Sequence, residues 1–109
     1  MIREVTQQHS ALVELCRRYR VRRFQLFGSA TTGTFASGKS DLDFLAEFTD
    51  TRNPDYADRY FDFAKALEDL FKRHVDVLTQ RAIRNPYFRA EIERTVELVY
   101  EDRSQKTFA

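Results

Sequence analysis

Apolar residues recur along this chain with two periods, and the points where the period changes mark the elements. From Ile2 to Tyr19, Val5, His9, Leu12, Val13, Cys16 and Tyr19 fall at steps of three and four, one face of an amphipathic helix. His9 on that face reads as a packed or half-exposed helix residue rather than a ligand. Val21 to Phe27 alternates instead, with Val21, Arg23, Gln25 and Phe27 set against Arg22, Phe24 and Leu26, and it stops at Gly28. This is a short strand whose C-terminal half is buried on both faces. Ser29 to Gly33 is small and polar, enough for one or two helical turns, and Thr34 to Ser40 reads as a loop. Asp41 to Phe48 is a second strand, with Leu42, Phe44, Ala46 and Phe48 on one side and Asp41, Asp43, Leu45 and Glu47 on the other.

After a polar loop with Pro54 comes the strongest helix, about Tyr56 to Arg73, striped by Tyr60, Phe63, Ala64, Leu67, Leu70 and Phe71. His74 to Leu78 is a third strand. Asn85 as cap and Pro86 in the first turn open another helix, to about Arg94. Val96 to Tyr100 fits a helix extension or a fourth, edge strand, and its β-branched and aromatic residues favour the strand. The expected class is α+β, a small mixed sheet with helices packed on it. Residues 1–100 form one expected domain, and 101–109 a polar tail.

A chain of 109 residues buries one modest core and leaves little room for a second, substrate-binding domain. Charged residues at 32% beside 42% hydrophobic exclude a disordered polyelectrolyte. A formal net charge of +1 argues against a strongly basic nucleic-acid protein. Local basic groups remain: Arg17, Arg18, Arg20, Arg22 and Arg23, and then Arg81, Arg84, Arg89 and Arg94. They read as solvated faces or as docking patches. Tyr87, Phe88 and Phe108 fit interface aromatics, with core packing an equal reading for the first two. Cys16 is the only cysteine, so it forms no internal disulfide and no cysteine zinc cluster. No apolar run approaches the roughly 20 residues that span a bilayer. The start, Met1-Ile2-Arg3-Glu4, is not a signal peptide, and a cytoplasmic location is the default expectation.

Three features carry chemistry. Asp41 and Asp43, two apart on a strand, project from one face with Cα atoms roughly 6.5–7 Å apart. Two carboxylates at that spacing can converge on one hard cation or on two neighbouring ones. Gly28 and Ser29 close the preceding strand, where a glycine admits close approach of a phosphate and Ser29 adds a hydroxyl and an N–H at a helix start. Asp76 sits among Val75, Val77 and Leu78, a costly place for a carboxylate unless it is paired or metal-bound. It can complete a metal site or accept the proton of an attacking hydroxyl. His74 nearby reads as structural or supporting.

Together, Leu26-Phe27-Gly28-Ser29, Ser40-Asp41-Leu42-Asp43-Phe44-Leu45, Val75-Asp76-Val77-Leu78 and Asn85-Pro86-Tyr87-Phe88 resemble the DNA polymerase beta-like nucleotidyltransferase superfamily. The resemblance is to its smallest branch, the minimal nucleotidyltransferases that pair with helical HEPN toxins. It implies a Mg²⁺-dependent enzyme with ATP as donor, Gly28 and Ser29 on the phosphates, and Asp41, Asp43 and Asp76 as metal-binding and catalytic residues. It further implies AMP transfer to a tyrosine of a HEPN ribonuclease toxin, this chain being the antitoxin in a hetero-oligomer. The family usually has ten residues between Gly-Ser and Asp-x-Asp; here there are eleven, Ala30 to Ser40. Its basic residue soon after the serine is replaced by Ala30-Thr31-Thr32, with Lys39 as a candidate substitute.

Two rivals stand beside this reading. One is a non-catalytic binding module that neutralises its partner by direct masking. Against it, three clustered acids carry an electrostatic cost that a pure binder has no reason to bear. The other is an RNA-modifying nucleotidyltransferase, favoured by the basic groups and weakened by the near-zero net charge.

Overall fold

The structure, a computed structural model, describes residues 2–28, 31 and 41–102. Ser29, the loop from Thr34 to Ser40 with Lys39, and most of the expected polar tail with Phe108 lie outside the described residues. The elements run α1 (Arg3–Gln7), α2 (His9–Arg18), β1 (Val21–Phe27), β2 (Leu42–Phe48), α3 (Tyr56–Phe71), β3 (Val75–Leu78), a 3₁₀ turn (Gln80–Ala82), α4 (Pro86–Thr95) and β4 (Glu97–Glu101). The strand order is β3-β2-β1-β4. β1 pairs antiparallel with β2 and β4, while β2 and β3 run parallel and are joined through α3. This is the mixed α+β sheet the periodicity predicts, and the second half of Val96–Tyr100's two readings, the edge strand, is the one adopted.

One expectation is corrected. The helix over Ile2–Tyr19 is two helices, broken at Gln8, whose φ of −100° and ψ of 14° leave the helical well. Neither proline nor glycine causes the break. His9 at the start of α2 sits 3.2 Å through its Nε2 from the Val99 carbonyl of β4, which ties the helix to the sheet edge. Val5 in α1 and Leu12 and Cys16 in α2 still enter the same core.

That core lies on one side of the sheet. Phe24 stacks on Phe44 with ring centroids 4.4 Å apart, and Phe63 from α3 meets Phe24 edge-on at 5.3 Å. All three rings are fully buried, each contributing roughly 1.5–3 kcal/mol by leaving water. The other side carries a smaller cluster, Phe27, Leu45, Ile83 and Ile92, beneath α4. Asn85 caps α4 as expected, its side-chain oxygen accepting from the N–H groups of Tyr87 and Phe88.

Arg59, within the α3 stripe region, is the one buried charged residue among those described. Its guanidinium donates to Asp55 and to the carbonyls of Tyr19, Thr49 and Asp50 at 2.8–3.2 Å. It thereby pins the start of α3 to the ends of α2 and β2. The first basic group is likewise largely engaged within the chain: Arg20 pairs with Asp50 and Asp55, Arg22 with Glu47, and Arg23 with Glu101. In the second, Arg89 bonds Gln80 and the Ile83 carbonyl, and Arg94 pairs with Glu91.

Candidate active site

The topology brings three strand ends together. Parallel β2 and β3 begin at the same edge of the sheet, and antiparallel β1 finishes there. Register then sets a single row across the sheet, with Phe27 opposite Asp43 and Asp43 opposite Asp76. Asp41 immediately precedes β2, so its carboxylate joins the same end. Asp41, Asp43 and Asp76, remote along the chain, therefore share one site.

Gly28 closes it. Its φ of +79° is open to glycine and strained for other residues, and its carbonyl accepts from both the N–H and the hydroxyl of Thr31. A Cβ placed there would stand 2.7 Å from Asp43 Oδ2. Sequence reasoning reserves the space at Gly28 for a phosphate; what the glycine admits here is the Asp43 carboxylate. Ser29, its expected companion, lies outside the described residues.

The electrostatics reverse one expectation. Asp76, read as the costly carboxylate in an apolar strand, has half its side-chain surface exposed. The desolvated group is Asp43, raised from 3.8 to about 6. Partial burial is the main cause, followed by the negative charge of Asp76, a hydrogen bond shared with the Asp76 carboxyl, and the charge of Asp41. His74 alone pulls the other way.

His74 is nearer to the chemistry than its sequence position suggests. Its Nε2 is 2.8 Å from Asp76 Oδ1 and its Nδ1 is 3.1 Å from Glu68 Oε2. The hydrogen bond to Asp76, then that carboxylate's charge, hold the imidazole above its ordinary 6.5. The signal in the sequence is the spacing His74-x-Asp76, which puts both on one side of a strand. Three carboxylates crowded at one strand end are oxygen donors of the kind that can hold a divalent cation, and Mg²⁺ is among the ions that such donors suit. The concavity beside Tyr56, Tyr60 and Thr79 lies toward the opposite ends of β2 and β3 and includes none of these residues.

A small mixed sheet with three carboxylates at one edge, beside a glycine turn, defines the class of nucleotidyl-transferring domains. The chain belongs to the nucleotidyltransferase domain family, whose pattern matches residues 10–99. A candidate protein adenylyltransferase of Methanocaldococcus jannaschii is 33% identical over 99 residues, which cover 91% of this chain and 93% of that protein. The solved structure of a candidate minimal nucleotidyltransferase is 28% identical, with a TM-score of 0.68 over 84% of this chain and 89% of that one. A chain in the complex of a tri-AMPylated Shewanella oneidensis HEPN toxin with its MNT antitoxin is 14% identical, with a TM-score of 0.61 over 95% of this chain and 78% of its own. The last likeness is one of fold. The protein is a nucleotidyltransferase with a minimal-nucleotidyltransferase fold.

Proposed function

We propose that the protein transfers AMP from ATP to a tyrosine hydroxyl of a HEPN-type toxin and so acts as its antitoxin. The observation that carries this reading is the convergence of Asp41, Asp43 and Asp76 beside Gly28. The M. jannaschii relative, named for protein adenylylation, and the fold shared with a chain of a HEPN toxin complex support the choice of acceptor.

Asp41, Asp43 and Asp76 would hold Mg²⁺, which supplies charge neutralisation for the triphosphate and for the departing pyrophosphate. Gly28, with Ser29, would present the turn against which the β- and γ-phosphates rest. The acceptor oxygen bonds to the α-phosphorus as the bond to the bridging oxygen of the β-phosphate breaks, and pyrophosphate leaves with that electron pair. Asp76, the most open carboxylate of the sheet row, takes the hydroxyl proton. The partner protein brings its own tyrosine into line. Tyr87 on α4 is exposed over 86% of its surface, and it offers that partner an aromatic contact.

The test is mass spectrometry of the toxin after incubation with the chain, ATP and Mg²⁺. The expected result is a mass gain of one or more AMP groups, lowered by about a thousandfold in rate by Asp41→Asn, or about 4 kcal/mol in the barrier. A toxin left unmodified under saturating ATP and Mg²⁺ yet still silenced would replace transfer with masking.

A further inference from the structure

A carboxylate that takes the proton of an acceptor hydroxyl has to be held within reach of it, and Asp76 stands half exposed on a four-residue edge strand. What holds it comes from α3. The Val75 N–H donates to Glu68 Oε2 at 3.3 Å, and the Tyr60 hydroxyl donates to the Val77 carbonyl at 2.5 Å. α3 therefore grips the strand through its backbone on both sides of Asp76. The left-handed turn at Lys72, with φ 56°, brings the end of α3 back onto the start of β3 so that Glu68 can reach.

The second observation joins the same glutamate to the Asp76 side chain. Glu68 Oε2 lies 3.1 Å from His74 Nδ1, and His74 Nε2 lies 2.8 Å from Asp76 Oδ1. With an acceptor at each ring nitrogen both N–H groups donate, so the imidazole has no lone pair for a cation and none for a substrate proton. It is a bridge between two acids. Its outer end is fixed to strand backbone through Glu68, an arrangement in which a third group orients the partner of a reacting side chain. An isolated surface ion pair contributes little; here two bonds from different elements converge on one ring.

We propose that Glu68 and His74 are positioning residues for the transfer reaction: Glu68 orients the imidazole, the imidazole holds Oδ1 of Asp76, and the second Asp76 oxygen is thereby the one presented to the acceptor hydroxyl. The inference rests on the reading of Asp76 as the proton acceptor and adds to it the two residues that aim it. The same bridge sets a positive ring beside the acids, and His74 offsets part of the negative charge that Asp43 meets.

The experiment measures AMP transfer to the toxin with Mg²⁺ and ATP for Glu68→Gln and His74→Gln, each in the parent and in Asp76→Asn. His74→Gln should lower kcat about tenfold and Glu68→Gln about threefold, with KM for ATP within about twofold of the parent. In Asp76→Asn neither change should lower the residual rate further, because no carboxylate is left to aim. A purely structural role would lower it by the same factor in both backgrounds. A second readout needs neither nucleotide nor partner: the carbon-13 resonance of the Asp76 carboxyl. Glu68→Gln should move that resonance in the parent and leave it in place in His74→Gln. Equal factors in the two backgrounds, full kcat in His74→Gln, or an Asp76 resonance blind to Glu68 would overturn the proposal. Absence of transfer by the parent beside a coupled resonance strikes the proposed function alone, and transfer that is present but insensitive to His74 strikes this inference alone.

Discussion

Along β2 the two sides of one strand do different work. On the side facing α2 and α3, Leu42, Phe44 and Ala46 have no exposed surface and join a continuous aromatic core. On the other, Asp43, Leu45 and Glu47 alternate with them, and only Leu45 is buried, under α4. α4 covers enough of this side to bury Phe27 and Leu45 but leaves the Asp43–Asp76 row at its edge. A strand's twofold period thus separates stability from chemistry at a distance of one residue. The first side is packed with apolar side chains; the second gathers carboxylates that repel one another. Changes on the two sides should therefore be told apart by which observable they move.

The largest effect is expected on the core side. Phe44→Ala deletes a ring that stacks on Phe24 and lies 6.1 Å from Phe71. A loss of about 3–5 kcal/mol follows from lost burial and the cavity left behind, read as a lower urea midpoint. Transfer activity per folded molecule should change far less. A Phe44→Ala protein as stable as the parent would mean that the two sides are not separated in this way.

Gly28→Ala tests the boundary between the sides. Both the positive φ and the 2.7 Å approach of the new Cβ to Asp43 Oδ2 act against it. The left-handed conformation alone costs about 1–3 kcal/mol for a residue with a side chain. Because the obstructed atom is a carboxylate oxygen of the site, transfer should fall by more than the loss of folded protein explains. A Gly28→Ala protein that loses stability but keeps full activity per folded molecule would show that Asp43 can move aside without consequence.

Much of this was legible in the sequence, for physical reasons that also explain what was not. The strands at Val21–Phe27 and Val75–Leu78, the helix from Tyr56 and the Asn85-Pro86 cap are set by local period and local hydrogen bonding. That Asp41, Asp43 and Asp76 would meet came from resemblance; register supplies the physical reason. Three features resist a linear reading because their causes are tertiary. The break at Gln8 has no local breaker. Arg59 looks like an ordinary helix charge, since its partners are carbonyls at the ends of other elements. Which acid is desolvated depends on the neighbours that close over Asp43 and not over Asp76. His74 joins Glu68 only because Lys72 turns the chain back.

The smallest effect expected isolates the electrostatic cost on the site side, in metal-free protein. A carboxyl raised from 3.8 to about 6 on folding binds its proton more tightly in the native state. Between these values the folded protein holds a proton that the unfolded chain has released, so stability falls as pH rises through this window. Above about 6 the destabilisation is complete, and below about 4 it vanishes. The rise from 3.8 to about 6 sets an upper bound of about 3 kcal/mol, and partial exposure to screening solvent lowers the expectation to about 1 kcal/mol. His74, raised in the fold, contributes with the same sign, as its stabilisation is lost when the pH climbs through its folded value. Comparison with Asp43→Asn separates the two, because the variant keeps His74 but has no carboxyl at 43. With a chelator present, the parent should gain about 1 kcal/mol on this variant between pH 7.5 and pH 4.5 in urea unfolding. Saturating divalent cation should shrink that gain, since a bound ion favours the ionised carboxylate. A difference between the two proteins that stays flat across this range would mean that Asp43 meets no unfavourable field, and the row of acids would then be open surface rather than a site assembled against its own repulsion.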